Sequence, residues 1–275
     1  MKRLASILSL MILCACGETG AIPAATGDRA RRIVSLDYCA DQFVLKFAEK
    51  DRILALSPDA GKQFSYMRAA ASGIRTVRPL AEDVILLKPD LVVRSYGGGP
   101  NAAKFFARAG VPVLEVGWAG DIEAVIANVE RMASGLGSSE LGRHVADDMR
   151  ARLADVADGA AGKSALYLTP SGVTTGPGTL IDEMLRVAGL DNYQRESGWR
   201  AIPLESLAYR QPDLIAAATF GDGGEYANSW SAMRHPLARR QLKSKIVVPL
   251  EGAWTSCGGW FLVDAVEALA DGARK

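Results

Sequence analysis

Two histidines, His144 and His235, occur in this sequence, and neither stands at a spacing that builds a zinc site or a nucleophile and base pair. Ser171-Gly172 and Thr175-Gly176-Pro177-Gly178 look like a glycine-rich phosphate loop, yet no Walker lysine follows and GxGxxG is absent. The segment reads instead as a turn that approaches a ligand or caps a helix opening at Thr179. No enzyme is expected from these parts, nor a protein-held metal or a resident cofactor. Recognition chemistry is better supplied. Tyr38, Tyr66, Tyr96, Trp199 and Trp254, with Phe64, Asp59 and Ser65, fall in segments that follow or flank short apolar runs. Aromatic side chains of this kind bring large flat apolar faces with a polar tip, which suits capture of a bulky ligand by stacking and hydrogen bonds. Any one of them is accounted for equally by ordinary packing; the expectation is that several share one cleft.

Of the four cysteines, Cys14 falls in the N-terminal leader and Cys16 at its expected cleavage point, which leaves Cys39 and Cys257 far apart in the remaining chain. That excludes a disulfide-dense scaffold and any CxxC zinc spacing. The pair has three readings: two buried apolar thiols, a disulfide across a cleft in an oxidising compartment, or a thiolate reaching a metal carried by the ligand. A thiol-dependent metal or redox module is accordingly the rival to a binding protein.

The compartment follows from the first residues. Lys2 and Arg3 precede an apolar run, Leu4 to Ala15, that is shorter than the roughly 20 residues a spanning helix needs. It reads as a signal peptide over 1–15. Leu13-Cys14-Ala15-Cys16 resembles the bacterial lipobox, which would make Cys16 the diacylated mature N-terminus; ordinary cleavage near Ala24 or Ala25 is the alternative. Residues 16–30 are then a flexible tether, and the protein is placed in the periplasm, touching the membrane only through its lipid. With 32 basic and 31 acidic residues and no basic run, nothing suggests a nucleic-acid partner.

Positioning falls to alternating elements. From Arg32, β-branched runs (RIVSL, DLVVRS, PVLEVG) alternate with helical patterns, which implies a parallel sheet covered on both faces over 31–117. Ligands sit beyond the carboxyl ends of such strands, where Tyr38 and Tyr96 fall. Residues 118–158 read as helices without strands; Leu141, Val145, Met149 and Leu153 form one apolar stripe on a helix long enough to bridge two lobes. From 159 to 275 the strand and helix alternation resumes as a second lobe. The fold class is therefore α/β, two Rossmann-like lobes with parallel sheets joined by one long α-helix.

An internal echo marks both lobes: Glu82-Asp83-Val84-Ile85-Leu86-Leu87-Lys88-Pro89-Asp90-Leu91 against Glu205-Ser206-Leu207-Ala208-Tyr209-Arg210-Gln211-Pro212-Asp213-Leu214. Each copy opens a short helix with a glutamate and ends it before Pro-Asp and an apolar strand. With this echo and the long helix between its copies, nearly the whole mature chain resembles the single-helix-linked, or class III, periplasmic binding proteins of ABC importers for cobalamin, siderophores and haem. The resemblance implies a monomeric binding protein without a cofactor of its own, since any cobalt or iron would belong to the ligand. Glu82 and Glu205 match the two surface glutamates that dock onto the permease dimer in that family. Trp199, six positions before Glu205, matches a ligand-facing tryptophan of cobalamin-binding members, whereas Thr76 and Val173 stand where those members have a tryptophan and a phenylalanine. A corrinoid is the implied ligand, with a ferric siderophore or haem as the alternatives.

Overall fold

The structure, a computed structural model, describes residues 30–156, 162–220 and 234–275. The expected signal peptide, Cys16 and nearly all of the tether lie outside the described residues. Apolar β-branched triplets and quartets bounded by turns form the first sheet. In chain order the first lobe runs β1 (Ile33–Ser35), α1 (Tyr38–Phe47), β2 (Ile53–Ala55), α2 (Ala81–Ile85), β3 (Leu91–Arg94), α3 (Ala102–Arg108) and β4 (Val113–Glu115). All four strands are parallel in the order β2-β1-β3-β4. Helices on both faces bury β1 completely, which is why Ile-Val-Ser shows no polar alternation.

Two helices follow, α4 (Ile122–Gly135) and α5 (Ser139–Val156). Asp121 caps α4 by accepting from the Ala124 amide. The helices pack side by side, and Gly142 has no room for a side chain because one would run into the Ala133 methyl. At 1.5 Å per residue α5 is about 27 Å long; of the expected apolar stripe Met149 is buried and Val145 and Leu153 pack partly against the core, whereas Leu141 is exposed and Gly142 and Ala146 take the buried face instead.

The second lobe runs β5 (Lys163–Leu168), β6 (Val173–Thr175), α6 (Leu180–Val187), β7 (Leu190–Asn192), β8 (Trp199–Ala201), α7 (Leu204–Tyr209), β9 (Leu214–Thr219), α8 (Pro236–Ser244), β10 (Ile246–Glu251), α9 (Gly252–Thr255) and α10 (Leu262–Arg274). Its sheet is again parallel and four-stranded, β10-β9-β5-β7, with β6 and β8 forming a separate antiparallel ribbon. The α/β, two-lobe class read from the sequence is the class observed.

Each lobe keeps a buried cluster of its own, around Val34, Leu36 and Phe106 in the first and Leu166, Tyr193 and Ile215 in the second, and a further core is shared between them. The shared cluster runs from Ile33, Phe43 and Phe47 of the first lobe through Val129 and Met149 of the linker helices to Tyr167, Phe261 and Val266 of the second. Trp260 and Phe261, just ahead of α10, are the plug: Trp260 meets Phe43 and Phe47 edge-on at 5.9 and 5.8 Å, and Phe261 stacks on Tyr66 at 4.8 Å. Polar bonds lock the same junction. Arg152 of α5 grips Glu267 through two bonds of 2.8 and 2.7 Å and also reaches Asp264 at 2.7 Å; Tyr66 donates to the other Asp264 oxygen at 2.9 Å. Hinge rotation about α5 would have to open this core, so the lobes are held close to one arrangement.

Asp41 of α1 is wholly buried, its carboxylate accepting from the Ser57 amide and hydroxyl at 3.1 and 2.6 Å. Burial pushes its pKa from the ordinary 3.8 up to about 6, outweighing the lowering by Ser35 and Ser57. The folded state therefore holds this proton more tightly than the unfolded chain does. Its contribution is full below pH 3.8 and is lost as pH rises through about 6. An Asp41→Asn variant cannot titrate here. Urea denaturation of both proteins at pH 4 and pH 7 should show the native chain losing on the order of 3 kcal/mol relative to the variant. Parallel pH profiles would refute the assignment.

Candidate functional site

At the carboxyl ends of both sheets the lobes enclose an open cavity of about 510 Å³. Its walls are largely aromatic: Tyr38 and Phe64 from the first lobe, Tyr167, Trp199 and Phe220 from the second. Hydroxyls complete the lining, with Thr169 and Ser171 in the turn after β5 and Thr255 and Ser256 at the end of α9. Among the described residues no charged side chain lines it.

Asp37 places the first wall. One carboxylate oxygen caps α1 by accepting from the Ala40 amide at 2.9 Å; the other accepts from the amides of Ser95, Tyr96 and Gly97 at 2.7, 3.1 and 2.8 Å. A single buried acid thus ties the start of α1 to the loop after β3. Arg94, itself buried, holds that loop from the other side through the carbonyls of Gly97 and Gly99, with Glu115 as its counter-ion at 2.7 Å. Tyr38 then stands edge-on to Phe64 at 4.9 Å and to Tyr96 at 6.0 Å.

The second wall depends on the β6–β8 ribbon, in which Thr175 pairs with Trp199. Gly176 lets the ribbon close, because a side chain there would strike the Glu196 carbonyl. Trp199 leans edge-on against Tyr167 at 6.1 Å and remains 57% exposed, presenting its free face to the cleft. Burial pushes the Tyr167 phenol up to about 12, so it stays neutral across the physiological range.

Of the residues expected at the cleft, the structure brings Tyr38 and Trp199 together in the cavity lining, with Phe64. Tyr96 stands at the rim, 54% exposed, its phenol raised by burial and then by Tyr38 and nearby carboxylates. Others are placed elsewhere. Ser65 is fully buried, accepting from the Gln42 amide at 2.9 Å. Tyr66 faces the lobe junction, where burial and its bond to Asp264 push it up to about 12. Asp59 sits in the turn after β2, its amide donating to Ser57, and Trp254 packs from α9 against the shared core. Tyr167 and Phe220 are lining residues that the sequence reading did not single out. Phe220 directly follows β9, so the rule that ligands gather at strand carboxyl ends, applied there, points to it.

Cys39 and Cys257 are joined in a disulfide with Cα atoms 5.6 Å apart, bridging the start of α1 to the loop after α9. The bond crosses between the lobes at the floor of the cleft and leaves no thiolate there to reach a metal. Among the described residues no cluster of His, Cys, Asp or Glu is arranged to hold an ion.

The echo is a structural repeat. Asp90 accepts from the amides of Arg31 and Arg32, and Asp213 accepts from the Ser164 amide and hydroxyl, so each acid fastens the strand that opens its sheet. Val84 and Leu207 are buried at equivalent places, while Glu82 and Glu205 are exposed in the first turns of α2 and α7. One turn further on, Leu86 and Tyr209 are 79% and 93% exposed.

Comparison with known proteins agrees with this architecture. The family profile described as periplasmic binding protein matches residues 33–231. Among curated proteins none matches significantly. Solved structures of the same fold include a periplasmic haem binding protein from Pseudomonas aeruginosa, 22% identical over 88% of this chain and 91% of that one, with a TM-score of 0.70. The periplasmic haem-binding protein RhuT from Roseiflexus sp. RS-1 is 19% identical over 89% and 99%, with a TM-score of 0.69. The periplasmic vitamin B12 binding protein BtuF of Vibrio cholerae is 21% identical over 90% and 97%, with a TM-score of 0.67. At these identities the likeness is one of fold.

Proposed function

We propose, from the premise that this chain belongs to the family of periplasmic binding proteins in their helix-linked, class III form, that it captures a corrinoid and delivers it to the permease dimer of an ABC importer. The family consists of binding proteins, not enzymes. The observation that carries the ligand reading is the cleft itself: one aromatic wall from each lobe, a hydroxyl-rich floor, and no charged side chain among its described lining residues. A corrin presents a broad flat edge fringed by neutral amides, which hydroxyls and backbone groups can satisfy and aromatic faces can cover. Haem carries two carboxylates that such a lining leaves without cations.

Haem is nevertheless the second reading, favoured by the haem-binding proteins among the similar structures. Titration of the mature chain with cyanocobalamin, hemin and a ferric hydroxamate, followed by tryptophan fluorescence, separates the readings. Saturable quenching at one equivalent of cyanocobalamin is expected; tighter binding of hemin would overturn the corrinoid assignment. Trp199→Ala should weaken the bound ligand about 10- to 100-fold, the loss of roughly 1.5–3 kcal/mol of buried aromatic surface and stacking. An unchanged dissociation constant would remove Trp199 from the site.

The delivery half of the proposal assigns Glu82 and Glu205 as the permease-docking acids, one per lobe. Cys16 serves as the acylated anchor that keeps the protein at the membrane surface in the periplasm.

A further inference from the structure

We infer that the Cys39–Cys257 disulfide is a positioning element of the cleft: it sets the gap between the walls before ligand arrives, and so helps to decide which ligand fits. The cysteines are sequence neighbours of two lining residues, since Tyr38 precedes Cys39 and Ser256 precedes Cys257. The Tyr38 hydroxyl also donates to the Ser256 carbonyl at 3.4 Å, beside the covalent link. A bond joining positions 218 residues apart thus fixes the first-lobe wall against the second-lobe floor at the cavity.

Each end is held firmly. On the first lobe Asp37 caps α1, and the Gln42 side chain donates to the Tyr38 carbonyl, so Cys39 cannot move without α1. On the second lobe Cys257 lies between α9 and the Trp260–Phe261 plug, which is embedded against Phe43 and Phe47. The plug fastens the lobes behind the cleft, whereas the disulfide fastens them at its floor. Without the disulfide, the covalent restraint between the Tyr38 and Ser256 positions is gone, and the 3.4 Å hydrogen bond between them holds the gap less tightly. Preorganisation of this kind removes an ordering cost from binding and sharpens selection by shape. A ligand too thick or too thin for the set gap is disfavoured, and relaxing the gap narrows the difference between ligands.

The inference rests on the cleft being the ligand site, and the experiment separates the two. Three forms of the mature chain are compared: oxidised, reduced and held in TCEP, and Cys39→Ala/Cys257→Ala. Hydrogen exchange is read at 37–41 and 254–258, with amides of β3 and β9 as internal controls. Dissociation constants for cyanocobalamin and hemin are measured on each form. Exchange at the floor should rise about tenfold or more in both unlinked forms, with the sheet controls unchanged. The preferred ligand should bind about tenfold more weakly, and the ratio between the two ligands should shrink. Reoxidation of the reduced chain should restore all three readings, whereas the double variant should not respond. Floor exchange and ligand ratio that are indifferent to the linkage would overturn the inference. If neither ligand binds the oxidised chain, the corrinoid and haem readings both fail, while floor exchange still decides whether the disulfide positions the walls. Should the double variant not fold, the reduced native chain carries the same comparison.

Discussion

Replacing Asp37 by alanine should destabilise the chain by roughly 3–5 kcal/mol and abolish ligand binding at concentrations that saturate the native protein. The side chain is buried and accepts four backbone N–H bonds, one at the α1 N-terminus and three from the loop after β3. An alanine leaves those donors buried without partners; the three loop amides share one oxygen, so together they contribute less than three separate bonds, and the cap adds about 1 kcal/mol. Against a total stability of about 5–15 kcal/mol the effect is severe. Asp37→Asn provides the control, since it keeps one acceptor but must point an NH₂ group at one set of donors. It should fall between alanine and the native chain. Urea denaturation with parallel ligand titration checks both variants; an alanine variant within 1 kcal/mol of native would show that the loop finds other acceptors.

The role of Asp37 also illustrates what a sequence conceals. Its place just after β1 marked the neighbourhood as a cleft rim, because parallel strands deliver their loops to one edge. The same reasoning placed Tyr38 where the cavity is now seen, and the family resemblance pointed to Trp199. It went astray wherever orientation, not position along the chain, decides the outcome. Ser65 and Tyr66 follow β2 as expected, yet Gln42 draws one inward and Asp264 draws the other to the lobe junction. The β6–β8 ribbon escaped notice because Val173-Thr-Thr and Trp199-Arg-Ala are three residues each, too short for alternation to register. Trp260 and Phe261 carry no signal of a plug, since a Gly-Gly-Trp-Phe segment suits a surface turn equally well; only the partners Phe43 and Phe47, two hundred residues earlier, give it meaning. For Cys39 and Cys257 the residues alone allowed three chemistries, and separation in space, not in sequence, chooses among them.

Reversing both docking charges, Glu82→Arg with Glu205→Arg, should eliminate uptake by cells that depend on this protein while leaving ligand affinity unchanged. Both acids are exposed on short helices whose inner faces are anchored by Val84 and Leu207, so substitution disturbs neither core nor cavity. Surface changes of this kind alter stability by about 0.5 kcal/mol or less. Glu82 and Glu205 stand in the first turns of α2 and α7, the two copies of the echo, and so are matching points on related halves. A partner composed of two like subunits meets that arrangement naturally. Exposed ion pairs contribute only about 0–1 kcal/mol, hence a single reversal should slow delivery without stopping it. Two reversals set like charges against the basic residues that the docking proposal requires, at a penalty of several kcal/mol. Leu86 and Tyr209, one turn beyond each acid and almost fully exposed, offer the apolar contact that charge alone cannot supply. Uptake of radiolabelled cyanocobalamin measured beside tryptophan titration separates docking from binding. Normal transport by the double variant would show that these acids do not meet the permease, whatever the cleft holds.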